Sequence, residues 1–398
     1  MAKTLVYQLW PLAWDGGIEE MTEHLVRVKE IGATHVWLSP VYLSPRADHG
    51  YDVADYYKID RKIGTMKQFD IFVKRAHKLG LKVLMDMVLN HVSVEHAWFT
   101  EHPDFFCWSE KPLEDWNSLF GGSAWEYVES RGEYYCHLFD KAQADLDWFP
   151  DGNINHDLVQ EFRDIVTFWM DSHGVDGFRL DVPQSINKNF GNPNLEMPEL
   201  LFGNQAISVI NAVFSGLKTK PFLIMECLDP TFGQIVKKYV DGTPVSYCLN
   251  ILLKEQRDIG WKQFCDAFYD SVATEGYMLD LESHDSPRFT SRSGMLPRQI
   301  AQMMFTSRAE AICLYQGQEL GLKNPEDLTS DEMMALDAQS KIQLLEGAEE
   351  RKVRKTSRAN ARIPLPLGEY AKQEKDRNSS LNWFKFYIQA WKKTRNQQ

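Results

Sequence analysis

The chain has no run of 18 apolar residues, no CxxC cysteine pair, no excess of positive charge and no charged start followed by an apolar stretch. Each absence closes a class. Without a long apolar run no segment is suited to cross a bilayer as a helix, and Lys3, Gln8 and Pro11 interrupt the apolar residues of the first fifteen positions, so no export leader is read there. A cytoplasmic protein with no membrane partner is expected. The cysteines (Cys107, Cys136, Cys227, Cys248, Cys265, Cys313) are scattered. That suits reduced thiols better than a zinc site or a disulfide frame, with a Cys107–Cys136 bridge as the one pairing left open. A net charge of −12, from 44 Lys+Arg against 56 Asp+Glu, speaks against nucleic acid, because neutralising phosphates takes clustered basic residues. Neutral or cationic partners are expected instead.

What is present is regular. Eight short apolar, β-branched or aromatic runs recur along the 398 residues: Leu5–Trp10, His35–Leu38, Lys82–Asp86, Gly177–Asp181, Phe222–Glu226, Val245–Leu249, Tyr277–Leu281 and Ala311–Tyr315. Helical patterns lie between them. Met21, Leu25, Val28 and Ile31 share one face ahead of Gly32, and Thr65 with Gln68 forms a capping-box signature before Phe69, Phe72, Val73 and Ala76. Further helical spacing fills Leu158–Ser172, Pro198–Leu217, Thr231–Val240, Lys262–Val272 and Pro297–Ser307. Eight strand–helix units predict an α/β fold, a parallel (β/α)8 TIM barrel with its chemistry at the carboxyl ends of the strands.

The gap from Asp86 to Gly177 is too long for a loop, and its middle is rich in aromatics such as Trp98, Trp116, Trp125 and Trp148. It predicts a subdomain inserted after strand 3. The expected organisation is residues 1–91 as the first part of the barrel, 92–155 as the subdomain over the active site, and 156–398 as the second part, closed by an amphipathic helix at Ser379–Lys393. The charge-rich stretch Asn324–Arg362 predicts a solvated excursion.

Acidic residues collect where the barrel would carry its chemistry. Asp86, Asp181 and Glu226 each end an apolar strand, and His284 and Asp285 follow another. One strand-end acid is commonly a helix cap; agreement among four strands points to a site. Arg179 precedes Asp181 by two positions, hence on the same face of a strand, and favours its ionised form. Glu226 follows four apolar residues, and burial there would retain a proton for donation. One charged and one protonated carboxyl suit glycoside hydrolysis with retention, which needs the two roughly 5–5.5 Å apart.

These residues sit in motifs that resemble the α-amylase family of glycoside hydrolases, in its α-glucosidase and oligo-1,6-glucosidase branch. Four signatures run in order: "DMVLNH" (Asp86–His91), "GFRLDV" (Gly177–Val182), "MECLD" (Met225–Asp229) and "ESHDSPR" (Glu282–Arg288). "HGYDVADYY" (His49–Tyr57), "FGGSAWEY", "QADLDW" and "YQGQELG" support them. The resemblance implies Asp181 as nucleophile, Glu226 as acid/base and Asp285 as stabiliser of the distorted sugar. His91 and His284 would bind its hydroxyls, Tyr51 would stack on its face and Arg179 would orient Asp181. Asp52 and Arg288 would pair to close the pocket behind a single terminal glucose, and Val182 goes with α-1,6 preference.

The chain departs from the family pattern in four places. Ser283 replaces an Asn, "QADLD" replaces "QPDLN", and "PLAWDGGIEEM" lacks the Asp-rich metal loop. The chain ends at Gln398, about where a C-terminal β-sandwich would begin, so a barrel without that sandwich is expected. The resemblance implies an exo-acting retaining α-glucosidase acting on small neutral gluco-oligosaccharides, with no cofactor and no metal. Alternatives with the same covalent intermediate are a glucosyl transferase or phosphorylase and an α-1,4- or trehalose(-phosphate)-type glucosidase. A non-catalytic scaffold is disfavoured by the three acids together.

Overall fold

Eight parallel strands build the centre: β1 (Thr4–Leu9), β2 (His35–Leu38), β3 (Lys82–Val88), β4 (Gly177–Asp181), β5 (Phe222–Cys227), β6 (Tyr247–Asn250), β7 (Met278–Leu279) and β8 (Ala311–Tyr315). The structure is a computed structural model that describes residues 3–113, 116–188, 203–251 and 261–394. The strands pair in the order β6-β5-β4-β3-β2-β1-β8-β7, and a parallel bridge between Cys248 and Tyr277 brings the two edges together. The result is the expected barrel. Each strand is followed by one outer helix: α1 (Gly17–Ile31), α2 (Met66–Lys78), α3 (His156–Thr167), α4 (Gln205–Phe214), α5 (Gln234–Gly242), α6 (Trp261–Ala273), α7 (Pro297–Thr306) and α8 (Ser380–Lys393). Residues 198–202, part of the helix expected at Pro198–Leu217, lie outside the described residues.

Strand parity decides what reaches the barrel mouth. Val6, Trp37, Leu84, Ile224, Leu249, Met278, Ala311 and Cys313 form one buried cluster inside the barrel. Side chains two positions onward point the same way. Thus Gln8, Asp86 and Glu226 stand directly above that apolar plug, and Arg179, in register with Asp86, leads to Asp181 on the same face. The outward-facing set packs with the helices in the main core, which includes Leu5, Val36, Val83, Phe178 and Leu223.

Helix ends follow local chemistry. Gly32 stops α1 in the left-handed region at φ 107°, and Thr65 and Gln68 make the capping box of α2 in both directions. The pattern at Leu158–Ser172 is helical throughout, but its last turn, Phe168–Ser172, widens to a π-helix.

Between β3 and α3 the chain makes a two-stranded pair, His91–Ser93 with Gln143–Asp145, and a three-stranded antiparallel sheet whose centre is Glu133–Cys136. Cys107, Trp116, Trp125 and Cys136 share a small core there, and the thiols of Cys107 and Cys136 are free. The stretch Asn324–Arg362 corrects the expectation of a solvated excursion. It folds into helices Ser330–Leu336, Ala338–Leu345 and Glu350–Thr356 around a core of Leu328, Met333 and Ala359, with most of its charges outside and Asp337, Arg358 and Arg362 buried. Among the described residues no β-sandwich follows α8, and no helix is long and apolar enough to cross a membrane.

Candidate active site

One guanidinium organises the strand ends. Arg179 Nη1 donates to Asp181 Oδ1 at 2.5 Å and to Asp86 Oδ1 at 2.9 Å, and its Nη2 donates to Glu226 Oε2 at 2.5 Å. It is buried, with the Trp37 ring 5.1 Å away. One positive charge thus faces three carboxyls. Burial pushes Asp86 up to about 6 against the pull of Arg179, and it also raises the Asp181 carboxyl well above the usual range, where Asp86, Glu226 and Asp285 add to the effect. The ionised form of Asp181 that Arg179 favours is therefore opposed by its burial and by the neighbouring carboxyls.

Across the mouth the balance is reversed. Asp285 accepts from His284 Nε2 at 2.8 Å, from Arg362 Nη2 at 3.0 Å and from Arg358 Nη1 at 3.4 Å. Burial alone would raise this carboxyl, but His284 and the two arginines outweigh it and hold the group well below the ordinary range. Arg358 also donates to Asp48 Oδ1 at 3.2 Å and from Nε to Asp337 Oδ1 at 2.8 Å. Beside Asp48, the Gln143 amide donates to Asp48 Oδ2 at 3.3 Å, and its nitrogen lies 2.9 Å from His91 Nε2. Burial pushes His91 down to about 4 and His284 to about 3, so both rings are neutral near pH 7. The arrangement is a ring of carboxyls, one of them held charged, around a cleft able to stabilise a developing positive charge.

The sequence profile described as the alpha amylase catalytic domain matches residues 11–219. Over 91% of its length the chain is 31% identical to the oligo-1,6-glucosidase of Heyndrickxia coagulans, of which it covers 76%. The chain belongs to the α-amylase family of glycoside hydrolases. Within it the chain stands on the oligo-1,6-glucosidase branch. Another relative, the trehalose-6-phosphate hydrolase of Bacillus subtilis strain 168, is 31% identical over 81% of this chain and 65% of its own. The crystal structure of the Bacillus licheniformis trehalose-6-phosphate hydrolase superposes with a TM-score of 0.82 at 27% identity, covering 99% of this chain and 84% of that one. The chain therefore spans between about two thirds and about three quarters of the length of these two curated relatives.

Set against this α-amylase family site, most residues singled out from the sequence converge. Asp181, Glu226, Asp285, Arg179, His91, His284 and Tyr51 all line or support it. Tyr51 does so through its hydroxyl, donated to Asp86 Oδ2 at 3.1 Å, and through its ring, stacked 5.3 Å from that of His284. Val182 follows Asp181 at φ 32°, ψ 47°, a left-handed backbone that a β-branched side chain adopts only under strain.

The structure does not pair Asp52 with Arg288. Asp52 spends its carboxylate on its own turn, accepting from Ser44 Oγ at 2.9 Å and from the backbone N–H groups of Ala47 and Asp48 at 2.8 and 3.0 Å. Arg288 turns below the mouth to Glu282 at 3.3 Å and the Gln316 carbonyl at 2.8 Å. Asp48 pairs instead with Arg358, at 3.2 Å. Sequence reasoning missed both, along with Arg362. Asp48 stands one position ahead of the "HGYD" stretch, and the two arginines end a segment whose charges read as solvated.

Proposed function

We propose that the chain is an exo-acting, retaining α-glucosidase that removes terminal glucose from short neutral gluco-oligosaccharides, with α-1,6 linkages favoured. The observation that carries this reading is the fork of Arg179, which grips Asp181 and Glu226 at 2.5 Å each. Two carboxyls gripped by the two ends of one guanidinium are held near each other, which supports a retaining pair at roughly 5–5.5 Å over an inverting pair at roughly 6.5–9.5 Å. In this reading Asp181 attacks the anomeric carbon while Glu226 gives its proton to the leaving oxygen. Water then enters, loses a proton to Glu226 and frees Asp181, so the anomer is retained. Asp285 faces the positive charge that develops on the sugar, and the Asp48–Arg358 pair walls off the pocket behind one glucose.

The linkage preference rests on Val182, which borders the leaving-group side and offers an apolar surface there. Such a contact discriminates by about 1–3 kcal/mol. A second reading has specific support: trehalose-6-phosphate hydrolases stand at similar identity, 31% and 27%. One panel separates the two. Isomaltose, maltose, sucrose, trehalose and trehalose 6-phosphate are each offered, with the product anomer followed by NMR. We expect isomaltose to have the highest kcat/KM, with α-glucose appearing first, and Asp181→Asn and Glu226→Gln to lose turnover while remaining folded. Val182→Thr is expected to shift the preference toward maltose. Preferred cleavage of trehalose 6-phosphate would transfer the reading to that substrate, and immediate β-glucose would overturn retention.

A further inference from the structure

Gln8 lies on β1, above the apolar plug of the barrel. Its amide nitrogen stands 3.0 Å from Ser39 Oγ and 2.7 Å from His284 Nδ1. His284 is itself clamped. The Trp10 ring stacks on one neighbour face at 4.9 Å and 14°, the Tyr51 ring stacks at 5.3 Å and 9°, and the Trp37 ring meets it edge-on at 6.2 Å. With the ring plane fixed by three aromatics, the remaining variable is which nitrogen carries the proton.

That variable is decided from the far side. Nε2 lies 2.8 Å from Asp285 Oδ2 and 2.6 Å from the Tyr51 hydroxyl. Arg358 and Arg362 hold Asp285 as a carboxylate, which can only accept a hydrogen bond. Nε2 must then be the protonated nitrogen. Tyr51 is compatible, since its own proton goes to Asp86 and its oxygen is left to accept. Burial keeps the imidazole neutral, so a proton on Nε2 leaves a lone pair on Nδ1 that needs a donor. The amide nitrogen of Gln8 is the group placed to supply it: so oriented, it donates to His284 Nδ1 and to Ser39 Oγ, while His284 Nε2–H donates to Asp285.

We propose that Gln8 is a positioning residue that locks His284 in its Nε2–H form, so that one fixed imidazole edge presents its proton to Asp285 and holds that carboxylate in place at the mouth of the barrel. The step from tautomer to activity rests on the α-glucosidase reading above. The tautomer itself does not.

The test uses the full chain labelled with 15N-histidine, with the His284 signals identified by their loss in His284→Gln. At pH 7 the wild-type protein is expected to show a pyrrole-type Nε2 and a pyridine-type Nδ1. Gln8→Met removes the donor while keeping the length of the side chain. It should mix the two tautomers and lower kcat/KM roughly ten- to a hundredfold. Gln8→Glu sets an acceptor beside Nδ1, and should move the proton there and add an ionisation to the pH–rate profile. A proton on Nδ1 in the wild-type protein would overturn the proposal without any variant. So would a Gln8→Met protein with unchanged tautomer and unchanged kcat/KM. The expected wild-type tautomer in a protein that cleaves none of the panel sugars would uphold the lock and tell against the α-glucosidase reading alone.

Discussion

Arg358 shows how much one side chain is asked to do. Its guanidinium donates to Asp337, Asp48 and Asp285, lies 4.9 Å from the Phe120 ring, and is held charged by those three acids against the cost of its burial. Removing it would leave buried carboxylates uncompensated, a loss of about 3–5 kcal/mol in comparable cases. Lysine would keep the charge but not the planar fork that reaches three partners. We therefore expect Arg358→Lys to lower kcat/KM for a terminal glucoside at least about tenfold. Asp52→Asn, which acts only within its own turn, should leave KM within about threefold of normal. Initial-rate kinetics on both variants decides the matter: a large KM increase in Asp52→Asn with a normal Arg358→Lys would restore Asp52 as the pocket wall.

At the scale of elements, the barrel depends on close strand approach as well as on apolar runs. A Cβ on Gly177 would lie 1.9 Å from the Phe222 carbonyl oxygen, although the backbone there is extended and would accept any residue. Gly177→Ala is thus expected to force β4 and β5 apart and to cost about 3 kcal/mol or more, seen as a fall in Tm; a Tm within 2 °C of normal would contradict the steric argument. The strands were legible because both faces of a parallel sheet are buried, which turns each strand into a nearly unbroken apolar run. The ends of α1 and α2 were legible through Gly32, Thr65 and Gln68, whose conformations or side-chain bonds end or begin a helix. The helices at Ser330–Leu336 and Glu350–Thr356 are seven residues each, too short for their periodicity to stand out. The pair Asp48–Arg358 is 310 positions apart, so no local spacing joins it. Asp52 beside Tyr51 carried the right residue type and the wrong neighbour, because a turn can consume a carboxylate as readily as an arginine can.

For the molecule as a whole, the many buried titratable groups set the response to acid. Burial pushes His24, His49 and His284 down to about 3 and His35, His91 and His96 down to about 4, from an ordinary value of 6.5. A histidine kept neutral in the folded state contributes fully above pH 6.5. Below that the unfolded chain takes up its proton and the folded one does not, so stability falls until the folded value is reached. Asp52 and Asp86, both pushed up to about 6 by burial, act the other way, as does Asp181. Their protonation on descending through pH 6 favours the folded form. The carboxyls of Asp147, Glu161, Glu282 and Glu319, also raised by burial, act on the same side, so seven carboxyls oppose the six histidines near pH 5. Asp337, held well below the usual carboxylate range by Arg358 and Arg362 against burial, adds a loss of stability only below about pH 4. The histidine side can be read one group at a time: relative to the unaltered protein, His24→Gln should gain Tm steadily as the pH falls from 6 to 4.5, with a constant difference from pH 7 to 8. Calorimetry across that range, in two buffers of different ionisation enthalpy, reads both the Tm and the protons taken up. A Tm difference between His24→Gln and the unaltered protein that stays constant from pH 6 to 4.5 would mean that His24 is charged in the folded protein and that burial does not govern its titration.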